Sequence, residues 1–256
     1  MNTPTLTQRL AHRTRPAGSP AMHHAWHNLC FLHWELAPEK AQALLPAGLF
    51  VDCFEGKTYV GIVAFGLSGI RPWWSPAIPH LSKFLELNVR LYCHDGKGNS
   101  GIYFLSLDCN RMAAVWGAKC LWGLPYTHAH IAQTMQADAT HFACQRKGEA
   151  HKATYAWRPT APVAVPEPGT LEHFLVDRYR LFVQDAKAQV RYGDVFHTPY
   201  EVAPVALGAW SGAPLGWDGL PVPEEAPMSV LVCPGVTVEV FALKKLHVPL
   251  FDRILP

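Results

Sequence analysis

The amino-acid sequence predicts a mainly β fold with a few helices, a β-rich α+β chain whose antiparallel sheet closes into a barrel or sandwich. Three observations carry this. About ten to twelve short β-rich runs recur between Gly- and Pro-containing turns, against three helical segments at most. Strands and helices do not alternate in the βαβ rhythm of a doubly wound parallel sheet. Within Ser100 to Asp108, Tyr103, Leu105 and Leu107 alternate with Ile102 and Phe104, so both faces of that run are largely apolar, as inside a closed sheet.

Taken in order, residues 1–22 are polar and contain Pro4, Pro16 and Pro20, which break any amphipathic helix, so this start is expected to be a disordered tail. The folded domain then spans residues 23–256. Cys30 to Leu36 reads as a strand and Pro38 to Leu45 as a short helix with proline in its first turn. Phe50 to Phe54 and Thr58 to Leu67 flank Glu-Gly-Lys as a hairpin, and Phe84 to His94 and Ser100 to Asp108 flank Asp-Gly-Lys-Gly-Asn as another. Between them, Pro72, Pro76 and Pro79 surround Trp73 and Trp74 in an aromatic loop placed to cover a pocket.

Met112 to Leu121 is helical in character and ends at Leu124-Pro125. Thr127 to Met135 and Thr140 to Arg158 are strand-like, the latter folding on itself around Lys147-Gly148-Glu149. The proline-rich segment 159–168 reads as an internal crossing. Thr170 caps a helix predicted to carry Leu171, Phe174, Leu175, Arg178 and Phe182 on one side, with Arg178 its one polar interruption. Strands follow at Ala188 to Tyr192, Val195 to Val202, Val205 to Ala209, Ser229 to Cys233 and Thr237 to Leu246, with a Gly/Pro-rich loop from Ser211 to Pro227.

Composition narrows the function classes. The 256 residues are 49% hydrophobic and 16% charged with a net charge of +2, too small a positive excess to argue for nucleic acid or an anionic membrane. No apolar window is long enough for a membrane helix or secretory signal, so a soluble, cytoplasmic protein is expected. The seven cysteines contain no Cys-x-x-Cys, which reads as reduced, buried thiols and argues against a zinc ribbon. Gly-x-Gly-x-x-Gly, Walker and His-Glu-x-x-His motifs are absent, and Ser68 lacks the second glycine of a nucleophile elbow.

The strongest chemical signal is Phe84-Leu-Glu-Leu-Asn-Val-Arg-Leu-Tyr92, which puts Glu86, Asn88 and Arg90 on one strand face. That face is either the solvated side of a sheet or the wall of a pocket; the apolar partner strand favours the pocket. A symmetric turn at Asp95 to Asn99 would set Arg90 against Phe104, Asn88 against Ser106 and Glu86 against Asp108, gathering five polar groups, whereas a slip of one residue would send Ser106 and Asp108 to the other face. His128-Ala-His130 has strand-metal spacing but no third ligand, so polar-face histidines are expected and no metal. Lys119 reads as a lysine reaching solvent; an amine of lowered pKa is the alternative.

His33-Trp34, Leu44-Leu45-Pro46-Ala-Gly48, Val51-Asp52, Gly56-Lys57, Glu86-Leu-Asn-Val-Arg90, Ser106-Leu-Asp108 and Leu124-Pro125-Tyr126 together resemble the domain of unknown function 2071 family across residues 23 to 246. That family resembles acetoacetate decarboxylase more distantly, which implies antiparallel sheets closed into cone-like barrels around a buried pocket, and makes a homo-oligomer plausible. In the decarboxylase a Trp-Gly-aromatic-Pro-Lys-Lys run supplies the Schiff-base lysine; here Trp122-Gly123-Leu124-Pro125 matches, but Tyr126 and Thr127 stand at the lysine positions. A phenol cannot form an imine. The expectation is therefore a pocket for a small apolar or acidic molecule, working without a cofactor. It is either an enzyme on a carboxylic or keto acid, with lyase- or hydrolase-type acid/base chemistry, or a non-catalytic binding protein. Tyr126 and Glu86 are the candidate catalytic pair, and Arg90, Asn88, Ser106, Asp108, Trp73 and Trp74 the candidate binding residues.

Overall fold

The computed structural model describes residues 3–77, 82–112, 123–185 and 187–246. In chain order the elements are α1 (Leu6–Ala11), β1 (Met22–Leu36), α2 (Pro38–Ala43), β2 (Phe50–Val51), β3 (Thr58–Pro72), β4 (Phe84–His94), β5 (Ser100–Cys109) and β6 (Tyr126–Gln136). They continue as β7 (Ala139–Arg146), β8 (Ala153–Pro159), α3 (Leu171–Val176), β9 (Arg180–Gln184), β10 (Val190–Phe196), β11 (Ala203–Ala209), α4 (Ala213–Trp217), β12 (Ser229–Val240) and β13 (Lys244–Lys245). Strand makes up 51% of the chain and helix 10%, as the β-rich reading requires.

The strands close into two rings. β5-β6-β7-β8-β11-β12-β1-β3-β4 returns on itself through the β4–β5 pair as a closed nine-stranded barrel. A smaller ring of seven runs β10-β9-β5-β4-β3-β1-β12 and closes where Val195 and Phe196 pair with Val240 and Glu239. Five strands, β1, β3, β4, β5 and β12, belong to both. Successive side chains of a strand point to opposite faces, so a shared strand feeds both interiors. In β4 every residue but Leu85 is buried. Leu87, Val89, Leu91 and Cys93 pack into the nine-stranded core, while Phe84 and Tyr92 pack into the seven-stranded one.

Two parallel pairings complete the otherwise antiparallel sheet: β5 lies beside β6 with Leu107 opposite Tyr126, and beside β9 with Ile102 opposite Leu181. A parallel neighbour needs a long crossover, and residues 110–125 supply one between β5 and β6. The helix expected over Met112 to Leu121, with Lys119, lies outside the described residues beyond Met112.

Several local expectations are corrected. Residues 3–21 are not a disordered tail: Thr5 caps α1 in a reciprocal capping box with Gln8, and Arg9, Arg13 and Arg15 pair with Asp52, Asp177 and Glu239. Phe50–Val51 pairs with β4 rather than folding back on β3, leaving only a Phe54–Lys57 bridge of the expected hairpin. The helix at Leu171 stops at Val176 because Arg178 turns inward, donating to Asp52 and to the Phe174 carbonyl, and Phe182 continues as strand. The loop at 211–227 contains α4, and in place of the two strands read at 188–192 and 195–202 there is the single β10 at Val190–Phe196, with residues 197–201 outside any strand. The crossing segment 159–168 is tied down by an Ala164–Val202 bridge.

A bulge corrects the register that mattered most. Arg90 opposes Phe104 as expected, but Val89 then opposes Ser106 and Leu87 opposes Asp108. One extra residue in β5 reverses which ring its later side chains enter.

Candidate functional site

The smaller ring encloses a cavity of about 280 Å³. Its walls are chiefly apolar, including Phe31, Val63, Phe65, Ile102, Phe104 and Leu107. Into this lining β4 directs Glu86, Asn88 and Arg90 from alternate positions, all buried. Tyr126, the first residue of β6, reaches the same cavity because the parallel pairing seats it beside Leu107.

The Tyr126 hydroxyl donates to Glu86 Oε2 at 2.6 Å, and Asn88 Nδ2 donates to Glu86 Oε1 at 3.3 Å. Burial pushes the Glu86 carboxyl up to about 7, with these two hydrogen bonds opposing the rise and the Asp108 charge adding to it. Burial and then the neighbouring Glu86 charge drive the Tyr126 phenol well above its ordinary value. Glu86 is thus poised to exchange a proton near neutral pH, and Tyr126 stays a neutral donor.

Arg90 is held by its Nη2, which donates to the Leu175 carbonyl at 2.9 Å and to the Tyr92 hydroxyl at 3.2 Å. Its guanidinium carbon lies 5.3 Å from the centre of the Phe31 ring. Among the described residues no carboxylate forms an ion pair with it, and its Nε has no hydrogen-bond partner. Glu86, four residues away on the same strand face, is not its partner: Glu86 accepts from Tyr126 and Asn88 instead. Two further arginines line the cavity and differ in this respect: Arg178 is bound to Asp52 at 2.7 Å and Arg180 to Asp194 at 2.7 Å. Sequence reasoning missed both as cavity residues; the polar interruption at Arg178 was the available signal. It also missed His24 and Trp26, whose ring nitrogens are buried at the cavity wall without partners among the described residues.

Ser106 and Asp108 are not part of this site. They point into the nine-stranded ring, where Arg146 donates to Asp108 Oδ1 at 2.8 Å, to Asp218 Oδ1 at 2.7 Å and to Ser106 Oγ at 2.6 Å. Burial raises Asp108 to about 6 against the pull of Arg146. Trp73 and Trp74 also fall outside the site: they are 55% and 71% exposed and neither lines the cavity. The His128 and His130 rings lie 5.6 Å apart, but no group of three potential metal ligands forms among the described residues. Nor is any described helix long and apolar enough to cross a membrane.

The closed, mainly β architecture places the chain among acetoacetate-decarboxylase-like folds. The crystal structure of acetoacetate decarboxylase from Legionella pneumophila superposes with a TM-score of 0.63 at 16% identity, covering 91% of this chain and 88% of that one. The enduracididine biosynthesis enzyme MppR, complexed with the condensation product of pyruvate and imidazole 4-carboxaldehyde, gives 0.62 at 15% identity, covering 90% of each. At the level of sequence, the uncharacterized protein YqjF of Bacillus subtilis is 31% identical over 218 residues, 83% of this chain and 88% of that protein. Residues 23–237 match the model of domain of unknown function 2071, an uncharacterized conserved protein, and the chain belongs to that family.

Proposed function

We propose that the cavity binds a small organic acid and performs proton transfer on it without a covalent intermediate. One observation carries this reading: Arg90, a buried guanidinium with no carboxylate partner among the described residues, faces the same cavity as the Glu86–Tyr126 pair. A buried unpaired cation is costly, and a ligand carboxylate would supply the missing charge in the planar geometry that guanidinium prefers. Glu86 would take a proton from the ligand, Asn88 would hold the carboxylate in place, and the Tyr126 phenol would donate to a developing oxyanion. No lysine is among the described residues lining the cavity, and imine chemistry is not part of the proposal.

The experiment is deuterium incorporation at the α-carbons of 2-oxo and 3-oxo acids in D₂O, followed by NMR. Exchange that falls about 10²-fold or more in Glu86→Gln and in Tyr126→Phe supports acid/base catalysis. A second reading, a binding protein without turnover, is favoured by the Tyr126 hydroxyl being already engaged by Glu86. Saturable binding that depends on Arg90, with no exchange for any acid, would select it.

A further inference from the structure

The cavity runs along its strands. Phe84, Glu86, Asn88 and Arg90 of β4 all line it, a run of roughly 20 Å at the usual rise per residue. β1 lines it in the same way, from Met22, His24 and Trp26 to Leu29 and Phe31. Through β3 the register matches the two walls: Phe31 pairs with Val63 and Val63 with Asn88, whereas Trp26 pairs with Leu67 and Leu67 with Phe84. Arg90 therefore marks one end, and Trp26 with His24 marks the other. Glu86 and Tyr126 stand between.

The far end carries its own unmet polar groups. The Trp26 indole N–H and both His24 ring nitrogens are buried without hydrogen-bond partners among the described residues. Burial, with His23 adding to it, lowers His24 to about 4, so its imidazole is neutral and offers one donor and one acceptor. Trp26 is fixed by edge contact with Phe65, ring centres 5.6 Å apart. Buried donors left unpaired are expensive unless something fills the site. The volume of about 280 Å³ also exceeds what a two- or three-carbon acid occupies, lying near the lower bound for ligands of drug-like size.

Building on the reading of Arg90 as an anion clamp, we infer that the ligand is an elongated amphipathic acid. Its carboxylate sits on Arg90, an alkyl or aryl body passes the phenylalanine-lined middle, and a hydroxyl or carbonyl at the opposite end meets Trp26 and His24. The body length, and not the acid group alone, then sets specificity.

The full-length chain would be titrated calorimetrically with straight-chain acids from acetate to dodecanoate, their ω-hydroxy derivatives, and the matching primary amides. The expected result is affinity that tightens by up to about fourfold per methylene until the cavity is filled and an added gain for the ω-hydroxy acid of best-fitting length. That gain should vanish in Trp26→Phe while the unsubstituted acid still binds. Tightest binding by acetate or propionate, or no effect of the ω-hydroxyl, overturns the inference and leaves the acid reading standing if Arg90→Gln still abolishes binding. No binding by acids of any length, or equal binding of acids and amides, overturns both.

Discussion

The Tyr126 hydroxyl and the Glu86 carboxylate meet at 2.6 Å although their strands, β6 and β4, flank β5 on opposite sides. The parallel β5–β6 pairing, which sets Leu107 opposite Tyr126, puts the first residue of β6 at the wall of the small ring's cavity, within reach of Glu86. The pair is sealed by apolar walls, and that seclusion gives it a measurable signature.

Glu86 is raised to about 7 in the fold from an ordinary 4.5, so the native state holds its proton over a range where the unfolded chain has released it. Stability is therefore lost as pH climbs from about 4.5 through 7, by on the order of 3 kcal/mol for this group. Glu86→Gln should remove that component. In urea melts across this range, the difference between wild type and variant should grow in favour of the variant towards alkaline pH; a difference independent of pH would contradict the burial of a titrating carboxyl. Asp108, raised to about 6, contributes with the same sign in both proteins, so the comparison reads Glu86 together with its coupling to Asp108.

Arg90→Met should leave the ligand-free protein about as stable as wild type or raise its melting temperature, since a buried cation without a carboxylate partner is replaced by an apolar side chain of similar length. The same substitution should abolish the thermal shift produced by organic acids. Differential scanning fluorimetry with and without acid reads both effects.

The opposite behaviour is expected of Arg146. Asp108→Ala removes one of the two carboxylates that the buried Arg146 guanidinium holds, leaving Asp218 alone to balance it, and should cost about 1–3 kcal/mol. Ligand affinity should be unaffected at temperatures where the variant is folded, because the cluster faces the other ring. Calorimetric titration beside chemical denaturation separates the two.

The N-terminal arm should contribute to stability at neutral pH. Burial alone would raise Asp52, but Arg178 and then Arg9 outweigh it and hold the carboxyl below its usual range. Stability from this cluster is present above the unfolded carboxylate value and fades as pH falls below it. Arg9→Ala should cost about 1–3 kcal/mol at pH 7, and its deficit relative to wild type should shrink towards pH 3. Guanidinium melts at the two pH values test this.

The alternation Glu86-x-Asn88-x-Arg90 was legible because a two-residue period needs only local sequence, and it placed three cavity residues correctly. The proline-punctuated β runs likewise gave the class of fold. The Ser106 and Asp108 placement failed because a bulge is a property of two strands together, and Val89–Ser106 pairing leaves no mark in either strand alone. Arg178 was read as part of a helix face because its partner, Asp52, lies 126 positions earlier. The same distance effect hid the arm: Arg15 answers to Glu239, and an isolated basic segment looks solvated until its acids are known. His24 and Trp26 were overlooked because they precede the run that first reads as strand, whereas β1 extends back to Met22.

The five strands held in common by the two rings leave no seam along which the molecule could be divided. Removing β6 to β8 would bare one side of the wall shared by the two rings; removing β9 and β10 would bare the other. The two rings are expected to melt in a single cooperative step, and neither half is a candidate for expression as a minimal binding module.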